Sequence, residues 1–175
     1  MARKYSPLAG SIIVVIFLCI APCAYSNTPS VAEICSKHNN PVFCEEILKQ
    51  KQGSDLSSLA AYVIEQIQIR VGSTKTALDS MVHQTQEPRL VQHYTSCAQH
   101  YDDALEGIKK TKQQLDNKDY FGMDVAASAV MTDIDDCASS EAPGYDPSVF
   151  LVKTNQDLEN LCVIVMIIAN RLSGN

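Results

Sequence analysis

Residues 87 to 115 read EPRLVQHYTSCAQHYDDALEGIKKTKQQL, and their period is that of a packed helix. Its apolar residues Leu90, Tyr94, Cys97, Tyr101, Ala104, Ile108 and Leu115 recur at steps close to an alternating four and three, the seam of a helix packed against other helices. Glu87-Pro88 opens the segment, because proline fits a first helical turn, where its missing N–H is not needed. Cys97 lies on the seam and therefore faces an interior.

The neighbouring segments carry the same period. Upstream, Leu59, Val63, Ile67 and Val71 repeat every four residues between Leu56 and Leu78, behind a break and cap at Gly53, Ser54 and Asp55. Downstream of Asn117, Lys118 and Asp119, the residues Val125, Ala126, Ala129, Val130, Ile134 and Cys137 predict the inward face of a third helix. Ser139, Ser140, Pro143, Gly144 and Pro147 mark a loop. A last helix follows on Leu158, Leu161, Cys162, Val165, Ile168, Ala169 and Leu172. The β-branched run Val163, Ile164, Val165, Ile167 and Ile168 would also suit a strand, but length and the flanking charges Glu159 and Arg171 favour helix. Four amphipathic helices with short connections predict an all-α, up-down-up-down four-helix bundle.

The start of the chain reads as an export signal. Arg3 and Lys4 precede an apolar stretch from Leu8 to Ala24, too short and too close to the start for a transmembrane anchor. A retained signal anchor is the alternative. Small residues Ala24 and Ser26 at the −3 and −1 positions predict a signal peptide over residues 1–26 and a single mature domain over 27–175. Removing Arg3 and Lys4 leaves 12 basic residues against 20 acidic ones, a net charge of about −8. That balance disfavours nucleic acid and anionic membranes and favours a basic or neutral protein partner.

Cys19 and Cys23 leave with the signal, so five of the 7 cysteines stay in the mature chain. One is odd, and pairing the other four allows three connectivities for each choice of odd residue. A Cys35–Cys44 bridge could pin a hairpin around His38-Asn39-Asn40-Pro41. A Cys97–Cys137 bridge would join consecutive helices across a loop of roughly 40 residues, and Cys162 would then be a buried free thiol.

Catalytic chemistry finds little footing. His93 and His100 share a helical face but lie about 10 Å apart along it, too far for one metal without a further element. His38 and His83 have no Cys or acid partners at ligand spacing, and all four histidines read as surface or boundary residues. Asp133, Asp135 and Asp136 point in different directions on a helix and lack the glycine and later glutamate of a calcium loop. No P-loop, nucleophile elbow or dinucleotide fingerprint occurs. The expectation is a protein with no cofactor, no metal and no enzymatic activity.

Several local patterns resemble one family. Ile34-Cys35, the gap to Cys44 containing Asn40-Pro41, Tyr94-x-x-Cys97, Tyr101-x-Asp103-Ala104-Leu105, Asp119-Tyr120 and Ala126-Ala127-Ser128-Ala129 ahead of Cys137 are similar to the plant invertase and pectin methylesterase inhibitors. The resemblance runs from about Ile34 to Leu172. It implies a four-helix bundle with an N-terminal helical hairpin, a Cys35–Cys44 disulfide in the hairpin, a Cys97–Cys137 disulfide between the second and third bundle helices, and secretion to the apoplast and cell wall. A fifth cysteine like Cys162, unpaired, resembles the pectin methylesterase branch. Invertase inhibitors resemble one another in a Pro-Lys-Phe motif after the acid that opens the third bundle helix, where this chain has Tyr120-Phe121-Gly122.

Both departures imply pectin methylesterase as the target, with acid invertase as the alternative. The implied mechanism is occlusion of the pectin-binding cleft in a one-to-one complex. Carried over position by position, the enzyme-binding residues become Gln99, Asp103 and Glu106, whose i, i+4, i+7 spacing forms one stripe opposite the seam, together with Asp119 and Asp136. Gln99 stands where an acid is common and Asp136 where a threonine usually precedes the cysteine. Outward acids are more often simply a solvated face. A secreted helical bundle that binds an apolar ligand or serves a structural role is the second class of function, since fold does not fix function.

Overall fold

The computed structural model describes residues 30–139 and 149–174. The first five α-helices begin where a side chain satisfies N–H groups that a first turn leaves open. Ser30 starts α1 (Val31–Cys35) with a capping box, its hydroxyl accepting from Glu33 N at 3.2 Å while Glu33 Oε2 accepts from Ser30 N at 2.8 Å. Asn40 caps α2 (Pro41–Leu48), and a 3-10 turn over Lys49–Lys51 follows. Asp55 caps α3 (Leu56–Gln84), and Glu87 caps α4 (Pro88–Asp116), which has Pro88 in its first turn. The bundle is completed by α5 (Tyr120–Ser139) and α6 (Val149–Leu172). The β-branched run at 163–168 is helical throughout. The predicted signal at 1–26 and the loop positions Ser140, Pro143, Gly144 and Pro147 lie outside the described residues.

Helices α3, α4, α5 and α6 form an up-down-up-down ring in which each packs on the next and α6 closes back on α3. The α1–α2 hairpin lies against α6 and buries Ile34, Cys35, Cys44 and Leu48. Disulfides join Cys35 to Cys44 and Cys97 to Cys137, while Cys162 is a buried free thiol. Burial pushes that thiol up to about 12, with the Glu159 carboxylate adding to the effect, so it stays protonated and unreactive at physiological pH. The interior gap beside Cys162, lined by Ile64, Ile108 and Val130, measures about 10 Å³, room for one water at most.

Two histidines depart from the surface reading. His38 is buried, its Nδ1 accepting from Asn40 N at 2.8 Å. Because that nitrogen is an acceptor, the ring hydrogen sits on Nε2 and donates to the Asn160 carbonyl at 2.9 Å, which ties the hairpin to α6. His93 is also buried, 3.8 Å from Cys97 Sγ. Both are polar groups satisfied inside a seam that sequence period alone marks by its apolar members.

The phase of α5 also differs from expectation. Met123, Ala126, Ala127, Val130, Ile134 and Cys137 face inward, whereas Val125 and Ala129 face out. Adjacent helical positions stand about 100° apart, so Val125 and Ala126 cannot share the centre of one face. Alanines at 126, 127 and 129 carry little phase information, and Met123 sets it.

Tyr101, with 0% exposure, reaches across the core from α4 and donates its hydroxyl to Asn155 Oδ1 of α6 at 2.6 Å. Asn155 Nδ2 in turn donates to the Ile134 carbonyl of α5 at 3.4 Å. Three bundle helices are thereby fixed in register by one polar chain.

The α4–α5 junction is a tight reversal. Lys118 N donates to the Leu115 carbonyl at 3.0 Å and Asp119 N to the Gln114 carbonyl at 2.9 Å, the two bonds of a Schellman end. Lys118 takes φ 58°, a left-handed conformation that suits glycine better than lysine. Lys118→Gly is expected to raise stability by about 0.5 to 1 kcal/mol, strain relief exceeding the entropy that glycine adds to the unfolded chain. Chemical denaturation of both proteins measures it, and a loss of stability would contradict the strain.

Candidate functional site

The end of α4 and the start of α5 share Asp119. After closing α4 through its N–H, it caps α5, with Oδ1 accepting from Gly122 N at 2.9 Å. A Cβ at Gly122 would collide with the Asp119 carboxylate, so glycine lets the cap lie close across the helix start. Asp119 therefore has a structural task at this corner, orienting the first turn of α5.

The remaining predicted site residues lie along the outer side of α4 and α5. Gln99, Asp103 and Glu106 are all exposed on α4. Gln99 Nε2 donates to Asp103 Oδ1 at 3.4 Å, and Glu106 holds Lys109 Nζ at 2.6 Å. Both contacts are surface ones, worth little to stability and readily exchanged for partner groups. Asp136 is exposed on α5, one residue before the disulfide. The two helices approach closely because Gly107 has no side chain, and a Cβ there would lie 2.7 Å from Val130 Cγ2. The structure thus brings Gln99, Asp103 and Asp136 together around the disulfide end, with Glu106 further along α4 and Asp119 at the opposite end.

Asp133 fills the seam between them. Burial raises its carboxyl above the ordinary range, and the negative charges of Asp103 and then Asp136 add to this, while His100 opposes. Across the α5–α6 side, Glu159 is raised by burial first and by Asp135 second. An acid raised in the folded state holds its proton more tightly there than in the unfolded chain, so its contribution is present below the ordinary carboxylate range and lost as pH rises through the folded value. Asp55, lowered mainly by the Ser58 backbone N–H, works in the opposite sense and only below the ordinary range. Thermal stability is therefore expected to fall as pH rises from the ordinary carboxylate range, and Asp133→Asn with Glu159→Gln should flatten that slope. Melting curves over that rise in pH decide it, and an unchanged slope in the double variant would contradict the assignment.

One feature was not among the predicted site residues. Phe121 is 76% exposed and Val125 50% exposed, one turn apart on the outside of α5. The sequence signal was a second aromatic, after Tyr120, behind the capping acid Asp119, readable only once Met123 fixes the helix phase. Among the described residues, no group of three or more His, Cys, Asp or Glu side chains is placed to hold a metal, and no helix is long and apolar enough to cross a membrane.

A disulfide-locked bundle that presents an acidic and partly apolar two-helix face has the form of a protein that acts by binding through its surface. Over residues 29–168 the chain matches the plant invertase/pectin methylesterase inhibitor family and belongs to it, a family of enzyme inhibitors. It is 34% identical to a pectinesterase inhibitor of Actinidia deliciosa over 188 aligned residues, spanning 100% of both chains. It is 32% identical to pectinesterase inhibitor 2 of Arabidopsis thaliana, covering 81% of this chain and 83% of that one. The fold superposes on the crystal structure of a mutant form of an Arabidopsis pectin methylesterase inhibitor with a TM-score of 0.75 and 28% identity, over 80% of this chain and 95% of that one.

Proposed function

We propose that this protein is a secreted inhibitor of plant pectin methylesterase, acting in the cell wall after removal of residues 1–26. The observation that carries this reading is the similarity over the entire chain to the Actinidia pectinesterase inhibitor. The geometry fits it. Gln99, Asp103 and Asp136 lie on one outer face of two helices that a disulfide and a glycine contact hold rigidly together. A preformed face binds with little ordering cost, and its acids suit an enzyme surface bearing basic groups. Inhibition follows by occlusion of the cleft in a one-to-one complex. Asp119 contributes by fixing the first turn of α5.

The test is parallel inhibition of a plant pectin methylesterase and a plant acid invertase by residues 27–175, in oxidised form, at about pH 5.5. Loss of esterase activity alone is the expected result, weakened by Asp103→Ala with Glu106→Ala. Loss of invertase activity alone would move the target to the other enzyme. A protein that inhibits neither over a panel of isoforms, but gains thermal stability with apolar ligands, would favour the ligand-binding reading.

A further inference from the structure

The outer arc of α5 from its first turn to Thr132 consists of Phe121, Val125, Ser128, Ala129 and Thr132, with no charged side chain among them. Outward helix faces in soluble proteins are normally dressed with charge, and this chain is 19% charged. Phe121 and Val125 are the two large apolar residues that α5 exposes. Phe121 sits beside the Asp119 cap, whose hydrogen bond to Gly122 N fixes the turn that carries it, so the ring is presented from a rigid base. The arc runs on into Asp136, beside Asp133 and Asp103, about 20 Å from Phe121 at 1.5 Å per residue.

We propose that this arc is the apolar anchor of the inhibitory face, with Phe121 inserting into an apolar depression on the target enzyme while basic side chains of that enzyme meet the acids at the Asp136 end. The inference rests on the pectin methylesterase reading above and adds the residues that supply most of the contact energy. Exposed aromatics seated in a pocket dominate interface energetics, whereas exposed acids contribute mainly registration and encounter rate. A second copy of this chain is a poor occupant. Parallel α5–α5 pairing would set Asp133 and Asp136 against their own copies, and antiparallel pairing would set Phe121 against those acids. Residues 27–175 carry 12 basic and 20 acidic side chains, a net charge of about −8, which opposes self-association. A partner with an apolar site at one end and a basic site at the other satisfies both ends of the arc.

The experiment compares unaltered protein, Phe121→Ala, Val125→Ser and Ile69→Ala as inhibitors of pectin methylesterase, each first shown by circular dichroism to melt like the unaltered chain. Ile69 is 58% exposed on α3, a comparable apolar residue on another helix. Phe121→Ala is expected to raise the inhibition constant about tenfold or more, Val125→Ser by less, and Ile69→Ala not at all. Because the chain contains no tryptophan, Phe121→Trp labelled with 5-fluorotryptophan supplies a single fluorine resonance that should shift on adding the enzyme. Full inhibition by Phe121→Ala with an unmoved resonance overturns the anchor and leaves the inhibitor reading intact. A resonance that shifts with the protein's own concentration, in the absence of enzyme, overturns it in favour of self-association. Failure of the unaltered chain to inhibit any pectin methylesterase overturns both readings.

Discussion

Replacing Cys97 and Cys137 together by alanine is expected to lower stability by about 4 kcal/mol and the melting temperature by about 10 °C. The bridge spans a sequence separation of 40 residues, and releasing it returns the loop-closure entropy of that span to the unfolded chain. Cys35–Cys44, with a separation of 9, is expected to contribute between about 2 and 3 kcal/mol by the same reasoning. The larger bridge also clamps α4 to α5 at the acidic end of the candidate face, beside Asp136. Its loss should therefore weaken inhibition even at temperatures where the variant remains folded. Denaturant unfolding of the oxidised protein and the two double-alanine variants measures the order. A Cys97/Cys137 variant as stable as the unaltered protein, or less affected than the Cys35/Cys44 variant, would contradict it.

Tyr101→Phe and Asn155→Leu are each expected to cost about 2 kcal/mol, and the double variant distinctly less than their sum. The hydroxyl and the amide are both buried, so removing one partner leaves the other short of this bond where water cannot replace it, although Tyr101 keeps a contact to Thr74 and Asn155 its bond to the Ile134 carbonyl. Removing both leaves two apolar side chains meeting across the bundle, a nearly neutral exchange for the pair itself. The same burial raises the Tyr101 hydroxyl well above the ordinary phenol range, so it remains a donor at any physiological pH. A double-mutant cycle with strictly additive losses would show that the 2.6 Å contact does not couple α4 to α6.

Much of this architecture was legible because periodicity, caps and breaks agree. The seam at Cys97, Tyr101, Ala104 and Ile108 lies in the core, Asp55 caps α3, and Pro88 opens α4. Where the pattern is carried by small residues it loses its phase, which is why Val125 and Ala129 were expected inside and stand outside. Buried histidines were illegible for a different reason. His38 is paid for by a backbone carbonyl at Asn160, 122 residues away, and local sequence contains no trace of such a partner. The acids of the candidate face could be named only from the family resemblance, since an outward carboxylate looks the same in sequence whether it meets solvent or an enzyme. The Asp119 cap was visible as a helix boundary, but not its double use in closing α4 and opening α5.

A stoichiometric complex between this bundle and pectin methylesterase is the central proposal. Isothermal titration of residues 27–175 into a plant pectin methylesterase at about pH 5.5, with ester hydrolysis followed on the same samples, addresses it most directly. Saturation at one inhibitor per enzyme, with activity falling in proportion to the heat evolved, is the predicted result. Unchanged hydrolysis and no saturable heat across several isoforms would contradict it.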